Sequence, residues 1–120
     1  MIYGIGIDIA EISRIWQVQS KNQNFARKVL TPNEMEVFEK LTTKRQMQYL
    51  AGRFCVKEAY SKALHTGIGK EVSFLDLELL NETNGAPYFA KHPKKKKLKA
   101  HVSLSHSTDL VTAQVILEKI

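Results

Sequence analysis

The 120-residue chain predicts one α+β domain over residues 1–120, an antiparallel sheet packed against a long helix and shorter helices. Three observations carry this. Between residues 5 and 9 isoleucine alternates with Gly6 and Asp8, the period of a strand. From Thr31 to about His65 apolar residues recur at helical spacing behind two threonine-led start signals. From Leu75 onward the period returns to two, and Asn84-Gly85 separates two such runs as a hairpin turn would. Helices gathered in the first half and strands in the second require the N-terminal strand to join the later sheet.

The first strand turns its isoleucines, Ile5, Ile7 and Ile9, toward the expected core. Its other face carries Gly4, Gly6 and Asp8. Glycine weakens a strand unless something must approach the backbone closely, and aspartate is a poor strand former. That face is therefore either a polar exposed edge or a small-residue floor beside a carboxylate, suited to a metal and a phosphorylated ligand. Ile12, Ile15 and Trp16 follow helical spacing, so a short helix runs over about 11–20, and Asn22 to Asn24 break it. Phe25 to Leu30 supplies another short helical turn. Thr31-Pro32-Asn33-Glu34 is a capping box with proline at the first helical position, and its helix runs to about Lys40. Thr43-Lys44-Arg45-Gln46 repeats the pattern and opens the longest helix, to about His65, where Thr66-Gly67-Ile68-Gly69 stops it. Leu75 to Leu79 alternates as a strand, with its return beginning at Pro87-Tyr88-Phe89. Pro93 to Leu98 suits a short basic helix, Val102 to His106 a strand, Ser107 to Asp109 a turn, and Val111 to Leu117 the last strand.

Composition narrows the function classes. At 43% hydrophobic residues the chain can build a core, and no apolar run approaches the length of a membrane span. The single cysteine, Cys55, excludes an intrachain disulfide, and no basic leader precedes the first strand, so a cytoplasmic setting is expected. The net charge of +6 points to an anionic partner. Lys94 to Lys97 is the densest basic run, either a solvated face or a phosphate grip. A nucleic-acid binder is disfavoured, because aromatics are only 8% of the chain and none interleaves with that run.

On a wheel of the long helix, Met47, Leu50, Ala51, Phe54, Cys55 and Ala59 share one arc, taken as the core face. Glu58 and Lys62 fall inside that arc, while Arg53 and Lys57 lie off it. An acid and a base on an apolar stripe are costly unless paired or ligated. One reading is an i,i+4 salt bridge where the stripe runs out into solvent. The other is a cleft in which Glu58 holds a cation and Lys62 an anionic group. Mg2+ suits such a cleft, since it takes one or two carboxylates and shares the rest with water and substrate phosphates. Asp8 would be the second carboxylate if the first strand packs on this helix. Ser105-His106 is a weak nucleophile pair, because strand neighbours point to opposite faces.

Gly4-Ile5-Gly6-Ile7-Asp8-Ile9, Arg53-Phe54-Cys55-Val56-Lys57-Glu58-Ala59 with Lys62-Ala63-Leu64, Thr66-Gly67-Ile68-Gly69 and Val102-Ser103-Leu104-Ser105-His106 together resemble the 4′-phosphopantetheinyl transferase superfamily. Length and spacing are similar to its small bacterial branch, the holo-acyl-carrier-protein synthases. The resemblance implies transfer of the phosphopantetheine arm of coenzyme A to a serine of apo acyl carrier protein. Adenosine 3′,5′-bisphosphate is released, and the product serves fatty acid biosynthesis. It implies Mg2+ held by Asp8 and Glu58, with Asp8, Glu58 and Lys62 as catalytic residues. The carrier serine's proton would pass to Glu58 through a metal-bound water, with Asp8 the alternative. Lys62, Gly67, His106 and Arg53 would contact coenzyme A, and Arg14 and Arg45 would dock the acidic carrier protein. It further implies a homotrimer with active sites shared between subunits. On this reading the strand glycines are clearance beneath a bound pyrophosphate. The chain departs from the family in carrying His65 where glycine is usual, Cys55 and Val56 where alanines are usual, and Ser107 where an acid or threonine is common.

Overall fold

A computed structural model describes all 120 residues. The elements in chain order are β1 (Ile2–Glu11), α1 (Ile12–Lys21), α2 (Asn24–Val29), α3 (Pro32–Glu39), α4 (Thr43–Ala63), β2 (Glu78–Asn81), β3 (Pro87–Lys91), β4 (Leu98–His106) and β5 (Leu110–Lys119). The N-terminal strand joins the later ones as expected: β1, β5 and β4 form an antiparallel sheet in that order, with Asp8 opposite Ala113. The β2–β3 hairpin forms a second, two-stranded sheet.

Along β5 the alternation decides the layers. Val111, Ala113, Val115 and Leu117 are buried, and they share the core with Leu50, Ala51, Cys55, Val56, Ala59, Tyr60 and Ala63 of α4. On β1 the expected facing is inverted. Gly4 and Gly6 are buried, while Ile5, Ile7 and Ile9 are 56%, 62% and 64% exposed. A Cβ on Gly6 would stand 1.8 Å from the Ala59 carbonyl oxygen, and one on Gly4 1.9 Å from that of Ala63. The glycines therefore admit the backbone of α4, not a pyrophosphate, and α4 rests directly on β1.

The helix starts follow their caps. The Thr31 capping box forms with Pro32 at the first helical position, as the sequence predicts. The cap of α4 is Thr42, one residue earlier than expected, with its hydroxyl accepting from the Arg45 amide at 3.5 Å. The stop of α4 also comes early. His65 is itself left-handed at φ 69°, and the amides of His65 and Thr66 donate to the carbonyls of Lys62 and Ser61, both at 3.0 Å. This is the Schellman pattern with histidine in the position usually given to glycine.

Two further expectations fail locally. The strand expected from Leu75 begins only at Glu78, because Asp76 accepts from both the amide and the hydroxyl of Ser73 and winds Phe74–Asp76 into a 3-10 turn. Pro93 to Leu98 is a turn rather than a helix, closed by the Lys97 and Leu98 amides on the Lys94 carbonyl. The hairpin at Asn84-Gly85 forms as expected, with Gly85 at φ 90°.

The core face of α4 is far wider than the predicted arc. Arg53, Lys57, Tyr60 and Ser61 are buried, whereas Met47, Phe54 and Glu58 are only partly so. Lys57 is wholly enclosed, its ammonium donating to the Glu34 carboxylate and to the Val29 carbonyl, both at 2.6 Å. Glu34 also accepts from the amides of Thr31 and Leu79, both at 2.9 Å. One buried carboxylate thus ties the start of α3, the middle of α4 and β2 together.

Candidate functional site

Gly4 and Gly6 place the next residue on their face, Asp8, against α4. There the Lys62 ammonium lies 2.8 Å from Asp8 Oδ1 and 3.2 Å from the Ile7 carbonyl oxygen. Glu58 stands one turn before Lys62 and is half-buried. Its carboxyl is held above the usual range, first by burial and then by the charge of Asp8, with Lys62 opposing. The Lys62 pKa is raised, chiefly by its bond to Asp8. The i,i+4 salt bridge between Glu58 and Lys62 does not form, since Lys62 pairs with Asp8 instead. Beneath them the buried Cys55 thiol is pushed up to about 12 by burial and by Asp8, so it is a packing group and not a nucleophile.

The site therefore holds two carboxylates around one ammonium, with Lys62 about half exposed. No cluster of three or more His, Cys, Asp or Glu side chains that could cage a metal occurs in the chain. An open pair of acids matches a cation that shares its coordination with water and phosphate. The effect of Asp8 on Glu58 is the kind of repulsion a cation would relieve.

The other expected residues lie elsewhere. Gly67 is in the loop after α4 at φ 72°, and a Cβ there would meet nothing within 4 Å. His106 is exposed at the end of β4, two strands from β1, where it lines a groove of about 230 Å3 with Ile9, Ser105 and Thr112. Arg14 is exposed on α1 at a groove of about 510 Å3 walled by Ile15, Val18 and Phe54. Arg45, in the first turn of α4, is exposed and about 25 Å along the helix from Lys62. Arg53, expected at coenzyme A, packs against the β2–β3 hairpin. Its guanidinium stacks 4.0 Å over the Tyr49 ring and donates to the Leu79 carbonyl at 3.1 Å and to Asn81 Oδ1 at 2.7 Å. At 7% exposure it anchors the β2–β3 hairpin, with both hydrogen bonds made by Nη2. Sequence reasoning missed the Glu34–Lys57 pair. Glu34 was visible as a capping acid, but nothing local marked its second job.

The model of the 4′-phosphopantetheinyl transferase superfamily matches residues 4–115. The holo-[acyl-carrier-protein] synthase of Ligilactobacillus salivarius is 51% identical over 121 residues, covering 100% of this chain and 90% of that protein. The synthase of Streptococcus sanguinis is 53% identical, covering 99% and 97%. Among solved structures, the Bacillus anthracis holo-(acyl-carrier-protein) synthase in complex with CoA (3′,5′-ADP) superposes with a TM-score of 0.92 at 47% identity, covering 100% and 99%. The Helicobacter pylori enzyme in complex with coenzyme A gives 0.83 at 33% identity, covering 95% and 99%. By matching motif, sequence and fold over essentially its whole length, the chain belongs to the 4′-phosphopantetheinyl transferase superfamily, among its holo-[acyl-carrier-protein] synthases.

Proposed function

We propose that this transferase moves the 4′-phosphopantetheine arm of coenzyme A to a serine of apo acyl carrier protein at the Asp8–Glu58–Lys62 constellation, in the service of fatty acid biosynthesis. The observation that carries the assignment is the 2.8 Å pairing of Lys62 with Asp8 beside a half-buried Glu58, whose pKa is raised by burial and by that same aspartate. Asp8 meets Glu58 and Lys62, 50 and 54 positions later in the chain, so two acids and one base converge with an open side.

Asp8 and Glu58 would hold Mg2+, which when bound neutralises charge on the pyrophosphate and its leaving group. Lys62, freed from part of its bond to Asp8, would turn its ammonium to the phosphates. The serine oxygen bonds to the β-phosphorus, and the bond from that phosphorus to the bridging oxygen breaks. Adenosine 3′,5′-bisphosphate leaves with the electron pair. Glu58 would accept the serine proton through a water held beside it. The work left to the protein is positioning and electrostatics, as in other phosphoryl transfers.

Gly67, unobstructed at its Cα, lets a nucleotide approach the loop closely. Arg14 and the groove beside it suit the acidic carrier protein, with Arg45 a second cation for the same partner. His106 reads as a coenzyme A contact supplied to a neighbouring subunit's site. The exposed stripe of Ile5, Ile7 and Ile9 supports a homotrimer built on this sheet face. A buried free thiol and the absence of any helix long and apolar enough to cross a membrane are consistent with a cytoplasmic enzyme.

The test is incubation with coenzyme A, Mg2+ and an apo carrier protein, followed by mass spectrometry of the carrier. Wild type should add one phosphopantetheine. Asp8→Asn and Glu58→Gln should each slow transfer by about 100-fold or more while melting near the wild-type temperature. Near-normal rates in both variants would remove these carboxylates from the mechanism.

A further inference from the structure

We propose that the cleft between the end of α4 and the Lys94–Lys97 turn binds an amphiphilic anion, an acyl chain ended by a carboxylate or phosphate. The cleft encloses about 510 Å3, within the range of small-molecule sites. Its floor is apolar, formed by the buried side chains of Leu64 and Leu98. Tyr3 and Ile120 form its sides. The rim carries Lys94, Lys96, Lys97 and Lys119 and no acidic side chain.

The arrangement has structural causes. The register of β1 slips between Ile2 and Gly4, and the Tyr3 ring stands 5.4 Å from that of His65, on the α4 side of the sheet. The turn is fixed by the Lys97 and Leu98 amides on the Lys94 carbonyl, and the Ile120 amide donates to the Lys97 carbonyl at 3.2 Å. The lysines are thus displayed from an ordered base. The side-chain ion pairs of the chain involve Lys40, Lys57, Lys62 and His101, so all four rim ammoniums are without a carboxylate.

Unpaired cations around an apolar floor select both ends of a ligand. A small anion would leave the floor wet, and a neutral chain would leave the ammoniums unmatched. A concave site of this size takes one molecule, where a lipid surface would call for a flat or convex patch. The cleft lies away from Asp8, since Tyr3 precedes it by five residues of extended strand, about 16 Å, and Leu64, though two residues after Lys62, turns to the buried side of α4 while Lys62 is exposed.

Isothermal titration of the full chain with decanoate and with decyl phosphate, below their micelle concentrations, tests this. Both should saturate at one per chain. Decanol and inorganic phosphate should bind at least tenfold more weakly. The variant K94E/K97E/K119E should lose at least tenfold in affinity for decanoate. These side chains are exposed, so the fold should hold, and an unchanged melting temperature checks it. The proposal fails if decanol binds as well as decanoate, or if the variant binds as well as wild type. It also fails if coenzyme A displaces the ligand competitively, or if only anionic phosphatidylglycerol vesicles bind.

Discussion

A side chain with a Cβ seldom closes a helix in the left-handed region, yet His65 does so at φ 69°. The conformation costs on the order of 1 kcal/mol. Part of that is offset by contact of the imidazole with Tyr3, whose carbonyl oxygen lies 3.3 Å from Nε2. His65→Gly removes the strain and the contact together. Because the residue is exposed and the 3.3 Å contact weak, relief should dominate. Urea unfolding should show a gain of about 1 kcal/mol, and a loss would mean that the Tyr3 contact is worth more than the strain. The position was legible in the sequence as a departure from the family's glycine, but its φ was not, because the glycines at 67 and 69 offered an equally good stop. Asp8, Glu58 and Lys62 were legible for a simpler reason: charged residues on an otherwise apolar or small face must find partners. The hairpin contacts of Arg53 were not legible, because an arginine beside a site looks the same in sequence whether or not it also anchors a neighbouring element.

Two contacts between elements fix where α4 lies, and each makes a prediction. The first is β1 against α4. A methyl on Gly6 would stand 1.8 Å from the Ala59 carbonyl and 2.7 Å from the Ala63 amide, backbone atoms that cannot swing aside. Gly6→Ala should therefore destabilise by about 3 kcal/mol, near the upper end for overpacking, and weaken transfer only as the fold is lost. A stable Gly6→Ala protein with impaired coenzyme A binding would instead restore the pyrophosphate-clearance role. The second is the Glu34–Lys57 pair. Lys57→Met leaves Glu34 buried without its cation and should cost about 3–5 kcal/mol in denaturant unfolding. The double change Lys57→Met with Glu34→Leu should recover part of that, though the amides of Thr31 and Leu79 then lose an acceptor. If the double variant is no better than the single, the pair is not what sets the cost. These cases show what pattern reading reaches. The Thr31 cap is a local signal and was recovered, whereas the burial of Lys57 depends on α2, α3 and β2 wrapping a helix from the side opposite the sheet. A wheel assumes one buried face, and α4 has nearly none exposed along Leu50–Ala63. The same limit inverted β1, where isoleucines signalled the core although the core side had room only for glycine.

At the scale of the whole molecule, one face of the sheet is left without a partner. Ile5, Ile7 and Ile9 lie beside Ile116, Gln114 and Thr112 of β5, which in turn pair with His101, Ser103 and Ser105 of β4. An apolar stripe next to a polar strip is the anatomy of an interface with a dry edge and hydrogen-bonding capacity within it. The distribution of the expected site residues points the same way. Asp8, Glu58 and Lys62 meet within one chain, but Arg45 is about 25 Å from Lys62 along α4, and His106 is two strands from β1. If His106 serves the reaction, a closed ring of subunits can bring it to the site of a neighbour. Ile7→Glu places a charge in the middle of the stripe without touching the core, since Ile7 is 62% exposed in the single chain. If wild type sediments as the proposed trimer, the variant should sediment as a monomer, with an unchanged circular dichroism spectrum. Its KM for coenzyme A should rise at least tenfold, because the contacts contributed by the neighbour are gone while the carboxylates and Lys62 stay in place. A monomeric Ile7→Glu protein with the wild-type KM would show each chain to be complete in itself, and His106 would then have no part in binding coenzyme A.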